Sequence, residues 1–140
     1  MKIAVAVLML VVALFGAMPA AGGEYRYVKQ KEFREWIESG KRMIIVDIQE
    51  PEEFLKQHFR GSLATGAFPA KSEEDRRKLE GAVKKAAAST VDVVIICPRG
   101  GGGAKNSYDY LKERGIDEKR LHILEKGMQG WPYPDVTVRR

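Results

Sequence analysis

Residues 93–104 read VVIICPRGGGGA, and this stretch decides the fold. Four β-branched residues form an apolar run that predicts a buried strand, and the run ends at Cys97, the single cysteine of the chain. A run of glycines follows, and then a helix is predicted to begin near Ala104 and to end at Gly115. A strand, a lone thiol, a glycine loop and a helix start together predict an anion site centred on sulfur.

Strand and helix patterns alternate through the rest of the chain. Further strands are predicted over 25–28, 43–47 and 121–124, and an irregular segment with a short strand over 59–70. Helices are predicted from near Lys29 to Gly40, from Pro51 to near Gln57, and over 71–88. This order predicts an α/β domain with a mostly parallel sheet flanked by helices. Sites in such sheets lie beyond the carboxyl ends of the strands.

The predicted helix over 71–88 has a recognisable start. Ser72 is the expected N-cap, and three acidic residues follow it in the first turn. Leu79, Val83 and Ala87 form one narrow apolar stripe, which predicts the face that packs on the sheet. The opposite face is charged and needs no partner.

Composition limits the classes of function. The chain has 140 residues, enough for one domain, with 44% apolar and 31% charged residues, as in a globular protein. The net charge is +5, but the basic residues alternate with acidic ones and no basic stripe is interleaved with aromatics. We therefore expect no nucleic-acid binding. The small positive excess favours small anionic substrates.

The first 22 residues have the three-part layout of a secretory signal peptide. A positive start precedes an apolar run, Ile3 to Phe15, and a stretch of small residues follows with candidate cleavage points after Ala20 and Gly22. The mature domain is then expected over 24–140, periplasmic or secreted and free of the membrane. An uncleaved membrane anchor is the alternative. No cysteine lies here to carry a lipid.

Export changes how the lone cysteine is interpreted. In an oxidising compartment structural cysteines come in pairs, so Cys97 is either inert and buried, paired with another molecule, or chemically active. A thiolate at this position would have free amides around it, because glycines allow consecutive N–H groups to turn inward. Arg99 adds a permanent positive charge. A phosphate-binding P-loop is disfavoured, because the glycines are followed by Ala104 and Lys105 rather than Gly-Lys-Ser/Thr.

Four segments, in order, resemble a single-domain rhodanese, a sulfurtransferase, over nearly the whole mature chain. They are 44–48 (IIVDI), 53–62 (EFLKQHFRGS), 93–103 (VVIICPRGGGG) and 124–131 (LEKGMQGW). The resemblance implies a parallel sheet and a catalytic cysteine that carries sulfane sulfur. By position, Cys97 is then the nucleophile and Arg99 binds the donor. The predicted persulfide cradle consists of the amides of Arg99, Gly100, Gly101, Gly102 and Gly103.

The resemblance also implies the reaction. The thiolate attacks a small anionic donor such as thiosulfate, sulfite leaves, and a thiophilic acceptor such as cyanide or a thiol takes the sulfur. A protein donor or acceptor is an alternative partner, and no cofactor is implied. Non-catalytic sulfur-carrying or binding modules share the pattern, and rhodanese-fold phosphatases and arsenate reductases share the fold.

Two departures from the family pattern bear on which sulfur donor the protein uses. The family loop usually ends in an arginine where this chain has Gly102, and its Asp-Val-Arg reads Asp47-Ile48-Gln49 here. The loop is also one residue longer, as in the phosphatases and reductases. Those enzymes need a bidentate guanidinium for the phosphoryl oxygens, and its absence here argues against that class. Thiosulfate specificity is open for the same reason.

The remaining candidates have mainly structural interpretations. Asp47 is expected to support the site by accepting N–H bonds. His58 and His122 are expected to be structural, with no partner evident for His122, and their spacing predicts no metal site. Trp36 and Trp131 are expected in the core or at its edge.

Overall fold

The computed structural model describes residues 24–140. The predicted signal peptide, residues 1–22, lies outside these described residues. In residues 24–140 no helix is both long and apolar enough to cross a membrane.

A five-stranded, all-parallel sheet organises the domain. The strands are β1 (Tyr27–Val28), β2 (Met43–Asp47), β3 (Leu63–Ala64), β4 (Asp92–Ile96) and β5 (Leu121–Leu124). Their order across the sheet is β1-β5-β4-β2-β3. The predicted α/β fold with a mostly parallel sheet is confirmed.

Register brings the ends of the two central strands together. Asp47, at the end of β2, lies opposite Ile96, at the end of β4, and the amide of Ile48 donates to the Ile96 carbonyl at 2.9 Å. Cys97 follows Ile96 directly. The loops after β2 and β4 therefore start side by side, at the carboxyl edge where sites in parallel sheets lie.

Helices cover both faces of the sheet. They are α1 (Gln30–Glu38), α2 (Pro51–Lys56), α3 (Glu73–Arg77), α4 (Glu80–Ala87) and α5 (Gly102–Glu113), with short 3-10 turns at Glu118–Arg120 and Pro134–Val136. α1 ends just before Gly40, which has φ of +70°. α2 starts with Pro51 in its first position, where a missing N–H costs nothing.

The single helix predicted over 71–88 is wrong, because the segment forms two helices. Ser72 caps α3 as predicted, accepting a bond from the amide of Asp75 at 3.0 Å. The chain then tightens at Leu79, whose amide donates to Arg76 and which is fully buried between α3 and α4. Lys78 and Leu79 keep right-handed helical backbone angles, so the interruption is one tightened turn between the two helices.

The predicted apolar stripe of this segment is also partly wrong. Ala87 is exposed, whereas the alanines at 82 and 86 are buried beside Val83. The buried face of α4 is therefore formed by Ala82, Val83 and Ala86.

Two clusters of buried side chains form the core, one on each face of the sheet. Alternate residues of β4 point to opposite faces, so Val93, Ile95 and Cys97 belong to one cluster, and Val94 and Ile96 to the other. The first cluster includes residues of α4 and α5. The second contains an aromatic group in which Phe33 meets both Phe59 and Trp131 edge to face. Its members pack α1 and the C-terminal segment onto the sheet.

Candidate active site

Cys97 follows β4 directly and opens the glycine loop. The side chain is 1% exposed, and its sulfur accepts a hydrogen bond from the amide of Gly100 at 2.8 Å. An N–H donor at this distance stabilises negative charge on sulfur. The tight turn needs Gly100, which has φ of +72°, a conformation that residues with a Cβ rarely adopt.

The loop after β5 is hydrogen-bonded to the backbone of the Cys97 loop. The amide of Met128 donates to the Cys97 carbonyl at 2.8 Å, and the amide of Gln129 donates to the Pro98 carbonyl at 2.9 Å. Gly127, with φ of +62°, approaches so closely that a Cβ there would lie 2.6 Å from the nitrogen of Arg99. The sequence marked Gly127 only as part of a motif, and its role in packing the loop was not predicted.

The start of α5 supplies further donors. The helix begins at Gly102, and Gly101 precedes it without a side-chain cap. The first N–H groups of a helix have no acceptor within it, and no hydrogen-bond partner is found in residues 24–140 for the amides of Arg99, Gly101, Gly102 and Gly103. Only the Gly100 amide of the predicted cradle bonds to the thiol itself. The wider cradle stays a prediction.

Arg99 is exposed at the mouth of the site. Its Nε donates to the side-chain oxygen of Gln129 at 3.1 Å. Gln129 was not among the predicted site residues, although it lies inside the motif at 124–131. The contact uses one N–H of the guanidinium, which has four more to offer a ligand.

A pocket of about 660 Å³ opens in front of Cys97. Five predicted residues line it: Cys97, Arg99, Gly101, Gly102 and Gly103. Seven more complete the wall, and none was a predicted site residue: Glu50, Glu53, Phe68, Pro69, Pro98, Asn106 and Gln129. Pro98 and Asn106 are close to Cys97 in the chain, whereas the other five come from the segments that follow β2, β3 and β5.

Asp47 does not line this pocket. Its carboxylate is fully buried, and it accepts bonds from the amide of Gln49 at 2.9 Å and from the Gln49 side chain at 3.0 Å. Burial raises the pKa of Asp47 to about 6, against the lowering effect of the Gln49 bonds and of nearby His58. These bonds tie Asp47 to Gln49 in the loop that follows β2, and its supporting role at the site stays a prediction.

The two histidines have structural contacts. His58 stacks on Phe54 and its Nδ1 lies 2.7 Å from the Phe54 carbonyl oxygen. His122 has a partner, contrary to the prediction, because its Nε2 lies 3.2 Å from Oδ1 of Asp92 on the neighbouring strand. Within residues 24–140 no group of three or more potential metal ligands is found.

Trp131 lies in the core and Trp36 at its edge, as the sequence predicted. Trp131 is 6% exposed and its indole N–H donates to the Tyr133 carbonyl at 2.8 Å. Trp36 is partly buried and packs edge to face on His122.

Solved structures with this fold include proteins of several activities. A rhodanese-like domain from Anabaena sp. is 16% identical, with a TM-score of 0.59, covering 84% of this chain and 81% of that one. A yeast protein tyrosine phosphatase of the rhodanese family is 19% identical, with a TM-score of 0.59 and coverage of 81% and 92%. The As-Sb reductase from Leishmania major is 16% identical, with a TM-score of 0.60 and coverage of 84% and 87%.

These likenesses concern the fold, because one fold carries many chemistries. No curated protein matches the sequence. The rhodanese-like domain family matches residues 29–132, most of the chain and all of the site described above. The chain therefore belongs to the rhodanese-like domain family.

Proposed function

We propose that this protein is an exported sulfurtransferase that moves sulfane sulfur from a donor to a thiophilic acceptor through a persulfide on Cys97. The hydrogen bond from the Gly100 amide to the Cys97 sulfur, at 2.8 Å, is the observation that carries the proposal. It supplies a donor to a sulfur anion, and the unbonded amides of the loop are available to a second sulfur atom.

The chemistry is a pair of displacements at sulfur. The Cys97 thiolate attacks the outer sulfur of thiosulfate, the S–S bond of the donor breaks, and sulfite leaves with the electron pair. The product is Cys97–S–S⁻, and its charge faces the helix start. A thiol or cyanide then attacks the outer sulfur, and Cys97 leaves as the thiolate. Charge and atoms balance, and no cofactor takes part.

A sulfur-carrying module is the second candidate. It would accept sulfur from a protein or polysulfide donor and turn over thiosulfate poorly. This alternative is supported by Gln49 and Gly102, which stand where the family usually has arginines at the site. The Gln49 amide is bonded to Asp47 and to the Gln57 carbonyl, so it offers nothing to the pocket.

Phosphatase and arsenate reductase activities are disfavoured. A phosphoryl or arsenate group has three outer oxygens, which a bidentate guanidinium stabilises. Gly102 provides no side chain at the corresponding place, and Arg99 is the single arginine on the pocket wall. The yeast phosphatase and the Leishmania reductase share the fold, so the fold itself does not separate these activities from sulfur transfer.

The test is intact mass spectrometry of the mature protein after exposure to sulfane donors. We expect the mass to rise by one sulfur atom, and the added sulfur to be released as thiocyanate by cyanide. Cys97→Ser should show neither change. Absence of added sulfur with thiosulfate, polysulfide and organic persulfides alike would end the proposal. Loading without turnover would favour the sulfur-carrying module.

A further inference from the structure

Two carboxylates face the pocket in front of Cys97. Glu50 and Glu53 lie on its wall, and Arg99 is the one cation on the same wall. Glu50 precedes α2, and Glu53 lies in its first turn. The charged side chains on the pocket wall therefore sum to a negative charge, although the whole chain carries +5. The two carboxylates oppose the close approach of a small dianion, against the attraction of Arg99 and of the loop amides.

The pocket is also larger than an inorganic donor requires. Its volume of about 660 Å³ is within the range of sites that enclose organic ligands. Phe68, Pro69 and Pro98 give it an apolar wall, and the amide of Asn106 is directed to the Pro69 carbonyl at 3.0 Å. An organic group fits this wall, whereas thiosulfate leaves most of the volume to water.

Resting on the proposed sulfurtransferase function, we propose that Glu50 and Glu53 are specificity-determining residues. They disfavour dianionic donors and select an organic persulfide, R–S–SH, whose R group carries an ammonium. The Cys97 thiolate attacks the outer sulfur, the S–S bond of the donor breaks, and R–S⁻ leaves. The product is Cys97–S–SH, so the step needs no further reactant.

Neighbouring cations make the two carboxylates unequal. Nζ of Lys56 lies 2.9 Å from the Glu53 carboxylate, and a separate recess that shares Glu53 carries Arg139 and Arg140. These charges offset Glu53. Glu50 does not line that recess, and no ion pair is found for it in the described part of the chain. Glu50 is therefore expected to have the larger effect.

The electrostatic potential at Cys97 can be measured without sulfur transfer. The probes are two methanethiosulfonates, one with an aminoethyl cation and one with a sulfonatoethyl anion, which react with a thiolate by the same displacement. The ratio of their rates, compared with the ratio for a small uncharged thiol, reports the local charge. We expect Cys97 to favour the cationic reagent more than the free thiol does.

Three variants distinguish the effect of the Glu50 charge from that of the general surface charge. Glu50→Gln should lower the preference for the cation about threefold, and Glu53→Gln should lower it less. Glu52→Gln is the matched control, since Glu52 is exposed on the same helix but is absent from the pocket wall. It should leave the ratio unchanged. Higher ionic strength should reduce the wild-type preference and the effect of Glu50→Gln together.

The donor comparison completes the experiment. Initial rates of Cys97 sulfur loading are followed by intact mass with thiosulfate and with aminoethyl persulfide. Glu50→Gln should raise the rate with thiosulfate about threefold and lower the rate with the persulfide. A reagent ratio equal to that of the free thiol, or one that Glu52→Gln moves as much as Glu50→Gln, overturns the specificity proposal. Normal labelling with no loading from thiosulfate, polysulfide or any organic persulfide instead overturns the proposed function.

Discussion

Gly127 packs its α-carbon against the backbone of the loop that starts at Cys97. A Cβ at Gly127 would collide with the Cys97 carbonyl and would lie 2.7 Å from the nitrogen of Gly100. The amide of Gly100 is the donor to the Cys97 sulfur. One glycine after β5 thus limits the geometry of the hydrogen bond to the Cys97 sulfur.

Gly127→Ala is expected to weaken both fold and site. The new methyl group must push the Gly100 amide, and φ of +62° is unfavourable for alanine, so the free energy of unfolding should fall by about 2–4 kcal/mol. The alkylation rate of Cys97 at neutral pH should change, because the Gly100 N–H no longer points at the sulfur. Urea denaturation and iodoacetamide kinetics measure the two effects.

Gly81→Ala provides the control for adding a methyl group. Gly81 lies within α4, and a Cβ there meets nothing within 4 Å. The substitution should stabilise the protein by about 0.5–1 kcal/mol and leave Cys97 kinetics unchanged. Equal stability for Gly127→Ala and the wild type would contradict the close packing described for Gly127.

Burial of Asp47 predicts a pH dependence of stability. Its pKa is raised from 3.8 to about 6 in the folded state. Between these values the folded state holds a proton that the unfolded state has lost, so this group lowers the free energy of unfolding as pH rises. The loss is complete above about pH 6 and amounts to about 3 kcal/mol.

Asp47→Asn should remove this contribution. Urea unfolding of the variant and the wild type at several pH values gives the difference in stability, which should grow in favour of the variant from about pH 4 to pH 6 and then level. Asp92→Asn is the contrasting control. Burial raises the pKa of Asp92, but bonds from Lys41 and His122 outweigh burial and lower it overall. Removing the Asp92 carboxylate should therefore lower the free energy of unfolding at neutral pH. A constant difference for Asp47→Asn across this range would contradict the assignment.

Much of the fold could be predicted because its signals are local. The apolar runs that became β2 and β4 are buried on both faces, and such runs read as strands without knowledge of their neighbours. The 121–124 strand matched residue for residue. The position of Cys97 at the carboxyl edge of the sheet was also predictable, because the residue follows an apolar run and precedes a glycine loop.

What escaped prediction depends on contacts across the sheet. The tightened turn at Lys78 and Leu79 divides a segment of good helix formers, and no proline there marks it in the sequence. His122 acquires Asp92 as a partner through strand pairing. Glu50 and Glu53 reach the pocket wall because β2 and β4 are neighbours. Glu50 carried no signal in the sequence, and Glu53 was only the first residue of the segment 53–62.

Arg99→Gln should slow loading from thiosulfate. Arg99 is the one cation on the pocket wall, so its loss should lower the rate about three- to tenfold for a dianionic donor. A cationic persulfide should load at the wild-type rate or faster. Arg60→Gln, an exposed substitution away from the pocket, is the charge-matched control. Equal slowing of both donors would show that Arg99 acts on loop structure rather than on donor charge.

Gly102→Arg should restore a cation where the family usually has one. Gly102 is exposed at the first position of α5, and a Cβ there meets nothing within 4 Å, so a side chain is accommodated without strain. A guanidinium on the pocket wall can bond a sulfonate group through two N–H donors. We expect loading of Cys97 from thiosulfate to rise about tenfold, measured by the initial rate of sulfur addition in intact mass.

Gly102→Ala separates the charge from the loss of a glycine. Both variants fill the same space at Cβ and reduce backbone freedom in the same way, but only arginine adds charge and N–H donors. Alanine should therefore leave the thiosulfate rate within about twofold of wild type. Equal rates for the two variants would mean that the missing arginine does not limit the reaction with thiosulfate. Gly102→Arg adds a positive charge to the pocket wall, and Glu50→Gln removes a negative charge from it. Combining the two should therefore raise the rate of sulfur loading from thiosulfate further than either change alone.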